Sequence, residues 1–239
     1  KAMEPYFFKE FGNPSSIHAF GSHVQGKLTI ARERIADLLG AYDPSEIIFT
    51  SCGTESNNNA IKGTLEAFPD KKHIVTTKVE HPSVLNLCKH LAEAGYQLTE
   101  LNVDYDGMLD LDELRSALRD DTAIVSIMCA NNETGVIFPI EEIGKIVKER
   151  GITFHCDAVQ AVGKIPINLQ NSTVDLLSLS GHKLHAPKGV GALYIRKGVR
   201  LKPLIIGGHQ EQVRRAGTEN VPSIIGLGKA CELSKKYIV

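Results

Sequence analysis

The stretch that decides the fold is Val174-Asp175-Leu176-Leu177-Ser178-Leu179-Ser180, then Gly181-His182-Lys183-Leu184-His185-Ala186-Pro187-Lys188-Gly189, then Gly191-Ala192-Leu193-Tyr194-Ile195. Two short apolar runs bounded by turn residues read as buried strands. Lys183 follows the first strand tip at once, and desolvating an ammonium ion there costs several kcal/mol. The same burial lowers a lysine's pKa and frees the neutral amine as a nucleophile, which a Schiff-base lysine requires. A surface lysine in a hairpin is the ordinary alternative. The hydroxyls of Ser178 and Ser180 and the imidazole of His182, packed around Lys183, favour the reactive reading.

Upstream, strands alternate with helices. Residues 46–50, 73–77, 97–103, 122–128 and 152–156 read as strands, and 54–67, 82–94, 110–119 and 140–150 as the helices between them. An earlier helix starts at a Ser22 cap, carries Val24, Leu28, Ala31, Ile35 and Leu38 at helical spacing, and stops at Gly40. Residues 1–11 read as the tail of an amphipathic helix and 12–21 as a turn-rich loop. Such alternation predicts an α/β fold: a three-layer α/β/α domain around a mainly parallel central sheet. Ligands of such sheets bind at the carboxyl ends of the strands, so the loops there are the ones to inspect.

The 239 residues are 42% hydrophobic and 23% charged with a formal net charge of −1, the make-up of a globular protein with a sizeable core. Without a basic block, no nucleic-acid or membrane-surface partner is expected. No apolar run approaches the ~20 residues that span a bilayer. The five cysteines (Cys52, Cys88, Cys129, Cys156 and Cys231) are odd in number and form no C-x-x-C pair. That argues against a disulfide framework and a zinc site, and for a cytoplasmic setting.

After the first strand, Thr50-Ser51-Cys52-Gly53-Thr54-Glu55-Ser56 opens a helix. A small-residue turn there lets backbone N–H groups and hydroxyls approach an anion, or simply caps the helix. It is neither a Walker loop nor a dinucleotide fingerprint. Val79-Glu80-His81-Pro82-Ser83 offers a flat imidazole that could stack on an aromatic ligand or cap a helix. Asn131-Asn132-Glu133-Thr134-Gly135 supplies amides suited to a ligand's polar edges, and equally to a turn. His155-Cys156-Asp157-Ala158-Val159-Gln160 ends a strand on a carboxylate that is unfavourable unless a cation faces it. Asp157 and Lys183 together suit pyridoxal 5′-phosphate (PLP), with an aldehyde for the lysine, a ring nitrogen for the carboxylate and a phosphate for the anion cradle. Arg215 and Thr218, in the glycine-bounded loop that starts at Gly207, are candidates to reach that phosphate or part of a solvated surface.

As an ordered set these motifs resemble the cysteine desulfurases of the class V aminotransferase group, PLP-dependent transferases of fold type I. The residues that carry the likeness are Gly12-Asn13-Pro14-Ser15-Ser16, the Thr50 to Ser56 turn, Glu80-His81, Asn131 to Gly135, His155 to Gln160, Ser180 to Lys183 with Pro187-Lys188-Gly189, and Arg215 to Thr218. The resemblance covers essentially the whole chain. It implies Lys183 as the Schiff-base lysine and proton shuttle, Asp157 at the pyridine nitrogen, Gln160 at the phenolic oxygen and His81 stacked on the ring. It implies Gly53, Thr54, Ser180 and His182 at the phosphate, with Thr218 arriving from the neighbouring subunit of a homodimer, and Asn132 near the substrate carboxylate. The implied reaction turns L-cysteine into L-alanine and leaves sulfur as a persulfide, passed to an acceptor or scaffold protein for iron–sulfur clusters or thiolated cofactors.

On this resemblance, residues 1–21 are an incomplete N-terminal segment and loop, 22–226 the PLP-binding large domain, and 227–239 the start of a helix leading to a small domain. In the family that small domain carries the persulfide-forming cysteine and a carboxylate-binding arginine. None of the cysteines here lies in that motif, and Cys52, Cys129 and Cys156 suit packing. The stretch is therefore expected to hold PLP yet turn over cysteine poorly by itself. The rival readings are a selenocysteine lyase or another class V aminotransferase, and a non-catalytic scaffold for sulfur-transfer partners.

Overall fold

The structure, a computed structural model, describes residues 1–238. Seven strands form one sheet: β1 (Ile47–Thr50), β2 (His73–Thr77), β3 (Gln97–Leu101), β4 (Thr122–Ser126), β5 (Thr153–Asp157), β6 (Leu176–Ser180) and β7 (Gly191–Ile195). Their spatial order is β1-β7-β6-β5-β4-β2-β3. β7 pairs antiparallel with both β1 and β6, and the remaining pairings are parallel. The helices are α1 (Pro5–Phe8), α2 (Ala19–Leu39), α3 (Gly53–Ala67), α4 (Pro82–Glu93), α5 (Leu111–Ala117), α6 (Ile140–Glu149) and α7 (Val221–Tyr237).

Successive strand side chains point to opposite faces, and here both faces are apolar. Ile48, Ile74, Ile124, Leu176 and Leu193 pack with Ile61 and Leu65 of α3 and Val84 and Leu91 of α4. Phe49, Val75, Val125, Phe154, Leu177 and Tyr194 pack with α2, α6 and α7 on the other side. The result is the mainly parallel three-layer fold that the alternating pattern predicts. Among the described residues no helix is long and apolar enough to cross a membrane.

Several boundaries differ from the sequence reading. Ser22 lies inside α2, which starts at Ala19 because His18 acts as the N-cap, its Nδ1 accepting from Gly21 N at 3.4 Å. The helical tail expected over 1–11 shortens to α1. The last helix starts at Val221, where Asn220 Oδ1 accepts from Ser223 N and Pro222 fills the first turn. The division expected between 226 and 227 thus falls inside one continuous helix, and Ile224, Leu227 and Cys231 of that helix share the large core. Val239 lies outside the described residues.

The segment between β7 and α7 holds three consecutive non-glycine residues in the left-handed region, Glu211, Gln212 and Val213, with φ of 48°, 58° and 65°. Each such residue costs about 1–3 kcal/mol and persists only where its surroundings impose it. The imposing contacts are side-chain bonds. Arg32 grips Glu211 in a two-pronged pair at 2.7 Å, Glu211 Oε2 accepts from Phe49 N at 2.8 Å, and Arg214 donates to the Ser45 carbonyl.

α2 and α7 cross at the closest possible approach. A Cβ on Gly228 would lie 2.7 Å from both Cα and Cβ of Ala31. Gly228→Ala is therefore expected to force the two helices apart at a cost of about 1–3 kcal/mol, read as a lowered Tm in calorimetry; a variant as stable as the parent would show that the crossing is loose.

Candidate active site

A cleft of about 180 Å³ opens at the carboxyl ends of β1, β2, β4, β5 and β6. It lies below the ~300–1,000 Å³ range of pockets for drug-sized ligands and suits a single-ring ligand. Nine of the ten residues expected from sequence line it: Gly53, Thr54, His81, Asn132, Asp157, Gln160, Ser180, His182 and Lys183.

Asp157, the last residue of β5, forms the floor and is 5% exposed. Its Oδ1 accepts from Val159 N at 3.0 Å and its Oδ2 from Asn57 Nδ2 at 2.7 Å. Burial pushes its carboxyl above the ordinary range, opposed by those two hydrogen bonds and by nearby His81. Among the described residues no lysine or arginine pairs with it.

One wall is the start of α3. Cys52 is its N-cap residue without a side-chain cap bond, and Gly53 and Thr54 present the first backbone N–H groups. Glu55 steadies this turn, its Oε2 accepting from Ser51 N at 2.8 Å. One turn further along, on the same helix face, Asn57 reaches the floor. Its amide donates both hydrogens, one to Asp157 and one to Ser83 Oγ at 2.8 Å. Ser83 Oγ is in turn 2.8 Å from His81 Nδ1, which also accepts from Ser83 N at 3.1 Å. The floor carboxylate and the imidazole on the opposite wall are thus joined by a short relay.

The remaining wall is the turn after β6. Lys183 sits in a 3₁₀ turn, Gly181–Leu184, rather than at the strand tip, and its side chain is half-buried rather than sequestered. A strand tip would have pointed it into the sheet layer; the turn lays it along the cleft. Ser180 Oγ and His182 Nδ1 lie 2.9 Å apart. Burial, then the Lys183 and Lys188 ammoniums, hold the His182 imidazole below its ordinary value, so it is neutral and can accept that hydrogen. Gln160 lines the cleft, and its Oε1 accepts from Lys164 Nζ at 2.6 Å, which leaves its amide N–H donors unspent by that bond.

Two candidates lie elsewhere in this chain. Thr218 is exposed and does not line the cleft. Arg215 is committed to Glu55, with Nε and Nη2 at 2.8 and 3.2 Å from its two oxygens, and so is not free to hold a phosphate. Asn57 and Ser83 are cleft residues that sequence reasoning missed. Their only signals were local: Asn57 lies one helical turn after Gly53, and Ser83 lies in the first turn after the His81 cap.

The sequence matches the aminotransferase class-V family over residues 1–238. It is 62% identical over 238 residues to a cysteine desulfurase of Nostoc sp., covering 100% of this chain and 59% of that protein. To cysteine desulfurase NifS of Azotobacter vinelandii it is 57% identical, with the same coverage. Among solved structures, a NifS-like protein superposes with a TM-score of 0.95 at 45% identity, over 98% of this chain and 65% of that one. A structure described as SspA in complex with cysteine gives 0.93 at 43% identity, over 97% and 67%. The chain thus spans about three-fifths of the curated relatives' length.

The raised Asp157 carboxyl fixes a sign. Its folded value exceeds the unfolded one, so the native state holds a proton that the unfolded chain has released, and stability falls as pH rises through the folded value. Asp157→Asn should therefore raise the Tm of the cofactor-free protein at pH 7, with the gap closing toward pH 4. An unchanged or lower Tm at pH 7 would mean that the charge is compensated in the cleft.

Proposed function

The chain belongs to the aminotransferase class-V family, and on that premise we propose that its cleft holds PLP and that the whole protein is a cysteine desulfurase. Members of this family use PLP. The observation that carries the reading is a buried carboxylate, Asp157, with no cation of its own, in the same cleft as the amine of Lys183. The cradle fits as well. A Cβ on Gly53 would lie 2.8 Å from Val159 Cγ2 and 3.4 Å from Ser180 Cβ, so only bare backbone leaves room for an anion at the start of α3.

When bound, PLP supplies an electron-poor ring that takes up the electron pair released at the substrate α-carbon. Asp157 holds a proton at the ring nitrogen, kept in place by Asn57 and Val159. Gln160, with its oxygen occupied by Lys164, offers its N–H donors to the phenolic oxygen. His81 covers the ring face and excludes water, and its orientation is fixed through Ser83. The backbone of Gly53 and Thr54, with Ser180 and His182, binds the phosphate. Lys183 would hold PLP through Nζ and, once the substrate amine displaced it there, would be free to take a proton from the substrate α-carbon and return one to the product. Asn132 orients the substrate carboxylate.

L-cysteine as substrate is supported by relatives named cysteine desulfurases and by a structural neighbour described as a complex with cysteine. We place the sulfur-accepting cysteine outside this stretch, because Cys88, Cys129, Cys156 and Cys231 are buried and Cys52 sits beside the start of α3, at the phosphate cradle itself. By this reading residues 22–226 carry the cofactor and this stretch alone turns over cysteine poorly. Thr218 completes the phosphate site from a second copy in a homodimer, presented by a loop whose Ile206 and Val213 are exposed. A sulfur-acceptor or scaffold protein takes the persulfide sulfur, and five free thiols suit the cytoplasm.

Mixing the protein with PLP is expected to give a visible absorbance band and, after borohydride, a mass adduct on Lys183. Lys183→Ala should lose both while keeping its melting transition; an adduct elsewhere would move the role to another lysine. In the full-length protein, alanine formed from cysteine should exceed that formed from selenocysteine, and Lys183→Ala should lower it by about 10³-fold or more. A preference for selenocysteine would make it a lyase of that class.

A further inference from the structure

We propose that Glu80 is a positioning residue that ties the loop carrying His81 to the loop carrying Met128, Ala130 and Asn132, so that two walls of the cleft keep one spacing. The inference rests on the cleft being the PLP site. Glu80 is 5% exposed. Its Oε1 accepts from Met128 N at 2.7 Å and from Thr77 Oγ1 at 3.1 Å. Met128 N begins the segment after β4, Thr77 ends β2, and His81 is the next residue along the chain. One carboxyl oxygen therefore joins the ends of two neighbouring strands just beneath the ligand-facing loops.

The other oxygen, Oε2, is buried without a partner. A dry carboxyl whose second oxygen meets nothing is far cheaper as a neutral acid than as an anion. The groups that face it agree. Asp157 on β5 adds negative charge, Cys88 approaches from α4 and Cys156 from β5, with Cys129 hydrogen-bonded behind Cys156. Burial first, and then Asp157, push Glu80 up to about 8 against the pull of its two hydrogen bonds. Cys88 is pushed to about 12 and Cys156 also rises, so neither ionises near pH 8. Cys129 is lowered from the ordinary thiol value by its bond to Cys156.

The arrangement leaves one negative charge, that of Asp157, for the ligand. Ionising Glu80 would put a second negative charge beside it, with Met128 N and Thr77 compensating only one of the two Glu80 oxygens. Affinity for PLP should therefore decline as pH climbs through about 8. Glu80→Gln keeps an acceptor oxygen for Met128 N and Thr77 and cannot ionise. Glu80→Ala removes the tie altogether.

The test measures the Kd for PLP of the full-length wild type and both variants at pH 7 and pH 9. The ratio of wild-type Kd to that of Glu80→Gln should rise between them by up to about tenfold, as the protonated fraction falls. Titration of PLP itself and of Cys129 is common to both proteins and cancels. Glu80→Ala should weaken binding at both pH values and speed amide exchange at Met128, which Glu80→Gln keeps slow. Melting of the cofactor-free proteins gives an independent readout. The native state holds a proton at Glu80 that the unfolded chain has lost, so wild-type stability should fall relative to Glu80→Gln from pH 5.5 to 8 and level off above. Parallel melting profiles, or slow Met128 exchange in Glu80→Ala, would overturn the proposal. A wild type that fails to bind PLP at pH 7 would instead refute the cofactor reading, and the melting and exchange arms would still decide the role of Glu80.

Discussion

A carboxylate withdrawn from water without a matching cation is the constraint around which this protein is arranged. Asp157 stands at the end of a central strand, with two hydrogen bonds and, among the described residues, no lysine or arginine paired with it. Those bonds offset only part of the desolvation cost, so the folded chain keeps a carboxyl that stays raised above its ordinary range. The surrounding choices follow from that. Asn57 spends both amide hydrogens here, Ser83 relays the connection to His81, and Glu80 is held under conditions that favour its neutral form. A structure optimised for stability alone would put an asparagine or an apolar residue at 157.

Sheet geometry explains why these groups meet. Parallel strands deliver their carboxyl ends to one edge, so loops far apart in sequence share a surface. The antiparallel β7 is the exception that serves the same end. A tight return after Lys183 sends the chain back between β6 and β1, and the start of β7 packs against the backbone of Cys52 at the foot of the cradle. Under α3 a polar row joins Ser126, His155 and Ser178, with the imidazole hydrogen-bonded at 2.8 and 2.9 Å and pushed down to about 3 by burial. It stays neutral and rigid, a fixed support one step below Asp157.

Much of this was legible in the chain itself. Strand ends could be read because short apolar runs stop at small polar residues, and β2 and β7 begin and end where the pattern says. Residues whose role is local, such as Gly53 at a helix start or Asp157 at a strand end, announce themselves by position. What stayed hidden depends on partners distant in sequence. Asn57 and Asp157 are 100 residues apart, Arg215 and Glu55 are 160 apart, and no local pattern tells that the arginine is already engaged. The His18 cap was missed for the opposite reason, because an imidazole is a weak signal for a helix start, whereas the Asn220 cap and first-turn Pro222 of α7 were local signals that the reading passed over. The expectation of a deeply buried Lys183 placed it at the strand tip, where the chain instead turns and leaves the side chain half-buried.

The loop after β7 shows where a shape can be stored. Its three left-handed residues include a β-branched valine, and nothing in Gln212 or Val213 prefers that path. The instruction comes from Arg32 on a helix laid down almost two hundred positions earlier and from the backbone of β1. Drift at 212 and 213 is therefore tolerated while Arg32 and Glu211 persist together, and loss of either unlocks the segment that presents Thr218. In lineages of this fold those two positions should be inherited as a pair, with the variable residues between them and Thr218 acting as passengers.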